Sequence, residues 1–185
     1  MLPIILQPFL MPQNPVPPIN RWSLPTDPMV KVNVDGSWDA SSLHSGVGIV
    51  IRNAQGSLLL GCSISGSYNS SIESEAAAVV QGLTEALKLQ LMHIHVECDN
   101  QEVINALNMK IERGNWRIYP FLREFHRLKN EFQHISWSWI SREANRAADA
   151  AAKLAKERLC TLYWTNGPPT SLQLILTSDG LPGPP

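Results

Sequence analysis

The alternation of apolar and polar positions divides the middle of the chain into short strands and longer helices. Lys31–Asp35 alternates, with Val32 and Val34 on one face and Asn33 and Asp35 on the other, and this predicts a strand. Gly46–Arg52 predicts a second strand and Ser57–Ser65 a third. Between the last two, Asn53-Ala54-Gln55-Gly56 reads as a hairpin turn closing on a glycine that tolerates positive φ. Three strands joined by short turns form an antiparallel meander. The period then changes. Ile72, Ala76, Val79, Val80, Leu83 and Leu87 repeat at helical spacing, and Ser70 with Glu73 has the form of a capping box. His93–Cys98 predicts a strand, Gln101–Leu107 a short helix, and Ile118–Asn130 a helix with Phe121, Leu122, Phe125 and Leu128 on one side. Phe132–Ile140 predicts the last strand and Glu143–Arg158 an alanine-rich final helix. Strands that alternate with helices pair in parallel, so the expected fold class is α/β, with a mixed sheet flanked by helices.

Proline marks where this pattern stops. Eight of the 14 prolines fall in residues 1–28 and five in 168–185, leaving Pro120 alone between them. Proline removes backbone donors, so the expected organisation is an extended arm over 1–29, a domain over 30–159 and a flexible tail over 160–185. The apolar fraction of 44% in 185 residues is enough for a core and excludes a wholly disordered chain. No apolar run approaches the roughly 18 residues a spanning helix needs. Met1–Met11 has no basic leader to make it a signal peptide. Cys62, Cys98 and Cys160 are widely spaced, which argues against a zinc site or a disulfide framework and for a reducing intracellular compartment, nuclear or cytoplasmic. Net charge is −1, so any contact with nucleic acid must come from a local patch. Residues 110–158 supply one, with 11 Lys/Arg against six Asp/Glu. On charge alone the preferred reading of that stretch is a solvated helix face, and the sharper one a surface that tracks phosphates.

Four carboxylates occupy informative places. Asp35 ends the first strand and is followed by Gly36-Ser37. Glu75 lies in the opening turns of the first long helix. Asp99 ends the fourth strand, and Asp149 lies on the last helix. Each has an ordinary explanation: turn chemistry for Asp35, a helix-dipole partner for Glu75, an N-cap for Asp99, an ion pair with Arg146 or Lys153 for Asp149. Together they suggest more. If the first and fourth strands pair in parallel, Asp35 and Asp99 emerge at the carboxyl edge of the sheet, where such sheets bind ligands. Crowded carboxylates repel one another, and hard divalent cations such as Mg2+ neutralise them. Two such ions about 4 Å apart activate a water and stabilise the leaving oxygen of a phosphodiester.

The segments Lys31-Val32-Asn33-Val34-Asp35-Gly36-Ser37, Glu73-Ser74-Glu75-Ala76-Ala77-Ala78, Glu97-Cys98-Asp99-Asn100 and Arg142-Glu143-Ala144-Asn145-Arg146-Ala147-Ala148-Asp149 resemble, in order, the motifs of the type 1 ribonuclease H family. The likeness is greatest to ribonuclease-H-like domains common in plants, many of non-LTR retrotransposon origin, and it covers roughly residues 22–158. It implies a ribonuclease H-like fold with a five-stranded mixed sheet, three antiparallel strands coming first. It implies endonucleolytic cleavage of the RNA strand of RNA–DNA hybrids with two Mg2+ ions, for which Mn2+ substitutes. Carried over by motif, Asp35, Glu75, Asp99 and Asp149 are the catalytic metal ligands, with Asp35 bridging both ions. Gly36, Ser37, Asn100, Arg142 and Asn145 then belong to the nucleic-acid contact. The implied product carries a 5′-phosphate and a 3′-hydroxyl, and the implied partner of this expected monomer is the hybrid, not a membrane.

There are two departures from the family pattern, one being that the basic, tryptophan-bearing handle of some bacterial members is not clearly present. Many members carry a histidine in a glycine-rich loop before the last acidic residue, whereas Ser141–Ala148 contains neither histidine nor glycine. That absence, with the low net charge, keeps a second reading open: a domain that binds nucleic acid and cuts poorly. A transposable-element relic is a third. Among other residues, Lys110, Arg113, Trp116 and Arg117 form a brief basic stretch that either contacts the DNA strand or packs on the core, and packing is the preferred reading. His93 and His95 have a spacing able to hold a metal, although ordinary packing is the simpler account. Trp137 and Trp139 share a strand face with Ile135 and are expected in the core.

Overall fold

The computed structural model of the chain describes residues 21–109 and 115–180. Most of the expected proline-rich arm, and Lys110 and Arg113 of the basic stretch, lie outside them. The elements follow the predicted order. Strand β1 spans Val30–Trp38, β2 Ser45–Arg52 and β3 Leu58–Gly66. Helix α1 spans Ser71–Lys88, β4 His93–Cys98 and α2 Gln101–Asn108. A 3-10 turn at Trp116–Ile118 leads into α3, Tyr119–Leu128, and then come β5, His134–Trp139, and α4, Arg146–Arg158.

The sheet is mixed, in the order β5-β4-β1-β2-β3 followed by one further strand, β6, at Leu162–Trp164. β1, β2 and β3 run antiparallel, while β1 pairs with β4 and β4 with β5 in parallel. The hairpin turn forms as expected, with Gly56 at φ +80°. α1 lies on one face, over Val32, Val34, Ile49 and Ile51, all fully or almost fully buried. Burying one such side chain stabilises the fold by roughly 1.5–3 kcal/mol. Its N-terminus is capped as the sequence indicates: Ser70 Oγ accepts from the Glu73 amide, and Glu73 Oε2 accepts from the Asn69 amide. α4 lies on the opposite face and packs close to β2. A Cβ on Gly46 would overlap the α4 backbone at Ala152, and one on Gly48 the backbone at Ala148, so glycine on the strand and alanine on the helix permit one another.

Several expectations fail, first at the edges. The sheet has six strands rather than five, and residues 160–178 are not a tail. β6 pairs antiparallel with β3, and a further helix, α5 at Thr170–Ser178, buries Leu172 and Leu176 with Trp164, Val50, Ala147 and Ala151. Prolines 168 and 169 precede this helix rather than interrupt it, with Pro169 at its N-cap. At the other flank Trp22 is buried and its indole N–H donates to Asn33 Oδ1 at 2.9 Å, so residue 22 is part of the packed structure and not of a free arm. The last helix begins at Arg146, not Glu143, because Ser141–Asn145 forms a turn and Asn145 directs its side chain inward instead of capping α4. Trp116 is 77% exposed, contrary to the expectation that it packs on the core. Trp137 does pack, edge-on to Phe125 at 5.1 Å, whereas Trp139 is partly exposed and donates to the Asp99 carbonyl. Among the described residues no helix is long and apolar enough to cross a membrane.

Candidate active site

The register decides the site. Val34 of β1 lies beside Cys98 of β4 as the last parallel pair, so Asp35 and Asp99 follow side by side; β4 ends there, whereas β1 runs on past its expected end at Asp35 to Trp38, with Asp35 still paired to Gly48 of β2. α1 brings in Glu75. A Cβ on Gly36 would collide with the backbone at Ser74 and Glu75, so only glycine lets the helix approach β1 this closely. The Gly36 amide donates to Glu75 Oε2 at 3.1 Å and fixes that carboxylate. Asp149, in the first turn of α4, enters from the other face.

The four carboxylates feel one another. Burial holds the Asp35 carboxyl well above the ordinary carboxylate range, reinforced by the charges of Glu75, Asp99 and Asp149 and by a hydrogen bond with Asp99. Burial, and then the Asp99 charge, push Glu75 up to about 8, against the lowering effect of the Gly36 amide. The cations at the site are peripheral. Arg142 Nε is 3.4 Å from Asp99 Oδ2 with its side chain 77% exposed, and Lys153 Nζ is 2.7 Å from Asp149 Oδ2 with its side chain 56% exposed. Carboxylate oxygens of Glu75 and Asp99 and the Cys98 sulfur lie within 4.8 Å of one another. Burial raises the Cys98 thiol well above its usual pKa, so it presents as a neutral neighbour. The remaining donors are hard oxygens, the set that suits Mg2+ or Mn2+ rather than a thiolate-seeking ion.

The five residues implied as nucleic-acid contacts separate. Arg142 and Ser37 have accessible surface. Asn100 is the N-cap of α2, accepting from the Val103 amide, and also hydrogen-bonds Glu75. Gly36 is turned to α1 and its amide is taken by Glu75. Asn145 is a correction: at 1% exposure it reaches no ligand at the surface, because its amide donates to the Val34 carbonyl at 2.9 Å and toward Asp99 Oδ1 at 3.5 Å. His95 is not paired with His93 for a metal. Its ring nitrogens lie 2.7 and 2.9 Å from the Ser136 and Ser138 hydroxyls. Lys153 pairs with Asp149 as the helical spacing allowed, whereas pattern reading missed the polar layer of Asn33, Arg52 and Glu97 behind the carboxylates. The signal was present: strands covered on both faces are apolar on both, and Asn33 breaks that rule.

The sequence model of the reverse transcriptase-like family matches residues 33–155, about two thirds of the chain. The chain belongs to that family. The match includes all four carboxylates and the turn that carries Asn145, and it agrees with the ribonuclease H resemblance of the four motifs. This reverse transcriptase-like domain has the ribonuclease H-like fold, as its similarity to solved structures shows. The N-terminal RNase H domain of a Mycobacterium tuberculosis protein superimposes with a TM-score of 0.65 at 21% identity, covering 70% of this chain and 94% of that one. RNase H1 from the archaeon Halobacterium salinarum gives 0.65 at 19% identity, covering 70% and 98%. LC11-RNase H1, isolated from compost by a metagenomic approach and solved in complex with an RNA/DNA hybrid, gives 0.64 at 18% identity, covering 70% and 98%. No curated protein matches in sequence.

Proposed function

We propose that this domain is a metal-dependent endonuclease that hydrolyses the RNA strand of RNA–DNA hybrids. The observation that carries the reading is the crowding of Glu75, Asp99 and Asp149 around the buried Asp35, opposed among the described residues by the two side chains Arg142 and Lys153 at the rim. Such a pocket is poorly neutralised by the protein's own charges and well suited to divalent cations. The family match, and the hybrid bound by one structural neighbour, support the substrate class.

Asp35, Glu75, Asp99 and Asp149 would hold two Mg2+ or Mn2+ ions. When bound, the ions supply a water of lowered pKa and positive charge opposite the leaving oxygen. The protein's own part is orientation. The Gly36 amide and Asn100 fix Glu75, and Asn145 fixes Asp99. Arg142, long and exposed, exchanges Asp99 for a phosphate oxygen of the substrate, where its planar fork suits bidentate contact. In-line attack leaves a 5′-phosphate and a 3′-hydroxyl.

The test is incubation of the purified chain with a labelled hybrid and Mg2+ or Mn2+. Cleavage of the RNA strand that disappears in Asp99→Asn and without metal is the expected result. Hybrid binding with no cleavage in either form would replace the enzyme with a binding domain.

A further inference from the structure

Behind the carboxylates, on the same face of β1, lies a second polar layer in which every amide has one permitted orientation. Asn33 is wholly buried. Its Oδ1 accepts from the Trp22 indole N–H at 2.9 Å and from the Arg52 guanidinium at 3.3 Å, and neither of these partners has an acceptor to offer. Its Nδ2 donates to Glu97 Oε2 at 2.8 Å, a carboxylate held by Lys31 at 2.8 Å, and lies 3.4 Å from Asn145 Oδ1. Asn33 thus uses its two donors and two acceptor sites and cannot be turned over.

Asn145 inherits its orientation from Asn33. Its Oδ1 faces the Asn33 amide, so its Nδ2 donates to the Val34 carbonyl and points at Asp99 Oδ1. Turning it over would set amide against amide at Asn33 and oxygen against oxygen at both Val34 and Asp99. Arg52, at the origin of this sequence of bonds, is itself fixed from both flanks of the domain. Asp179, just after α5, pairs with it at 2.9 Å, and the Trp22 ring lies 3.5 Å from the guanidinium carbon.

We infer that Arg52, clamped between Trp22 and Asp179, is a remote positioning residue: through Asn33 it sets the Asn145 amide, and so holds the Asp99 carboxylate for divalent-metal binding. The inference rests on the proposed metal site. It gives the two flanks a role in the reaction beyond packing.

The test uses the full chain and Mn2+ as the probe, with free Mn2+ followed by electron paramagnetic resonance and folding checked by thermal melting. Trp22→Phe keeps the stacked ring and removes the indole donor, and Asp179→Asn weakens the hold on Arg52. Each should weaken Mn2+ binding about fivefold, the effect of one lost hydrogen bond. KM for the hybrid at saturating Mn2+ should stay unchanged, and Asp179→Glu should restore most of the affinity. In an Asn145→Ala background both losses should vanish, since they act through that amide. Folded variants with wild-type Mn2+ affinity, or losses that add fully to that of Asn145→Ala, would overturn the inference alone. A wild-type chain that takes up no Mn2+ would overturn the metal site as well.

Discussion

Two clusters of buried charge share one face of β1, and they differ in balance. The inner cluster pairs Lys31 with Glu97 and Arg52 with Asp179, and Asn33 joins the two pairs. Its positive and negative groups match, and its hydrogen bonds are nearly closed. Two residues along the strand, the cluster around Asp35 gathers four carboxylates against Arg142 and Lys153, which stand mostly in solvent. A balanced buried cluster fixes structure, because removing any member strands its partner. An unbalanced one is at odds with folding and persists where something outside the chain completes it. The difference separates residues that hold the fold from residues proposed to hold metal, although both sets are polar, largely buried and adjacent.

The sharpest way to break this contrast is one neutral substitution in each cluster. Asp35→Asn should reduce hybrid cleavage about a thousandfold, corresponding to the several kcal/mol of charge stabilisation that metal ions supply. It should also raise the melting temperature of the metal-free protein, because a carboxyl held above its usual pKa opposes folding when ionised. Loss of stability together with activity would show the two clusters to be alike. Arg52→Met should do the reverse, costing about 3–5 kcal/mol in urea unfolding by stranding Asp179 in a largely buried site.

Next in size is a pH dependence. Glu75 is pushed up to about 8, above its ordinary value of 4.5, so the folded state holds a proton that the unfolded chain has released. The stabilisation is full below about pH 4.5 and is lost as pH rises through about 8. Asp35, raised for the same reasons, acts in the same direction. Metal-free protein should therefore melt lower at pH 8.5, above that window, than at pH 6, inside it, and saturating Mn2+ should flatten the slope. A flat metal-free profile would remove the electrostatic basis of the contrast. The smallest effect is expected at the rim. Lys153→Ala should change stability by no more than about 0.5 kcal/mol, as is usual for an exposed pair one turn apart on a helix. Mn2+ affinity should rise slightly as Asp149 is freed, which the same metal titration would detect.

Most of the central fold was legible because its signals are local. Val32 and Val34 alternate with polar residues, Ser70 and Glu73 announce α1, and the helical period from Ile72 to Leu87 allows no strand. The flanks were misread for a physical reason. Proline content suggested extended chain, but prolines 168 and 169 lie before α5, where a missing amide donor costs nothing. Trp22 and Asp179 each carry little local signal, and their partner, Arg52, is 30 residues from one and 127 from the other. Asn145 was assigned to the nucleic-acid contact because its motif resembles that of the family. The turn at Ser141–Asn145 directs it inward.

Residue order by itself determined the alternation of strands and helices, the caps, the glycines and alanines that let helices approach the sheet, and the identity of four candidate acids. These depend on side-chain chemistry and spacing over a few residues, which act the same in any surroundings. Only the tertiary structure decided that Val34 aligns with Cys98, and with it that Asp35 and Asp99 emerge together. It likewise decided which acids are compensated, since the effect of a charge depends on burial and on partners that the chain brings from far away.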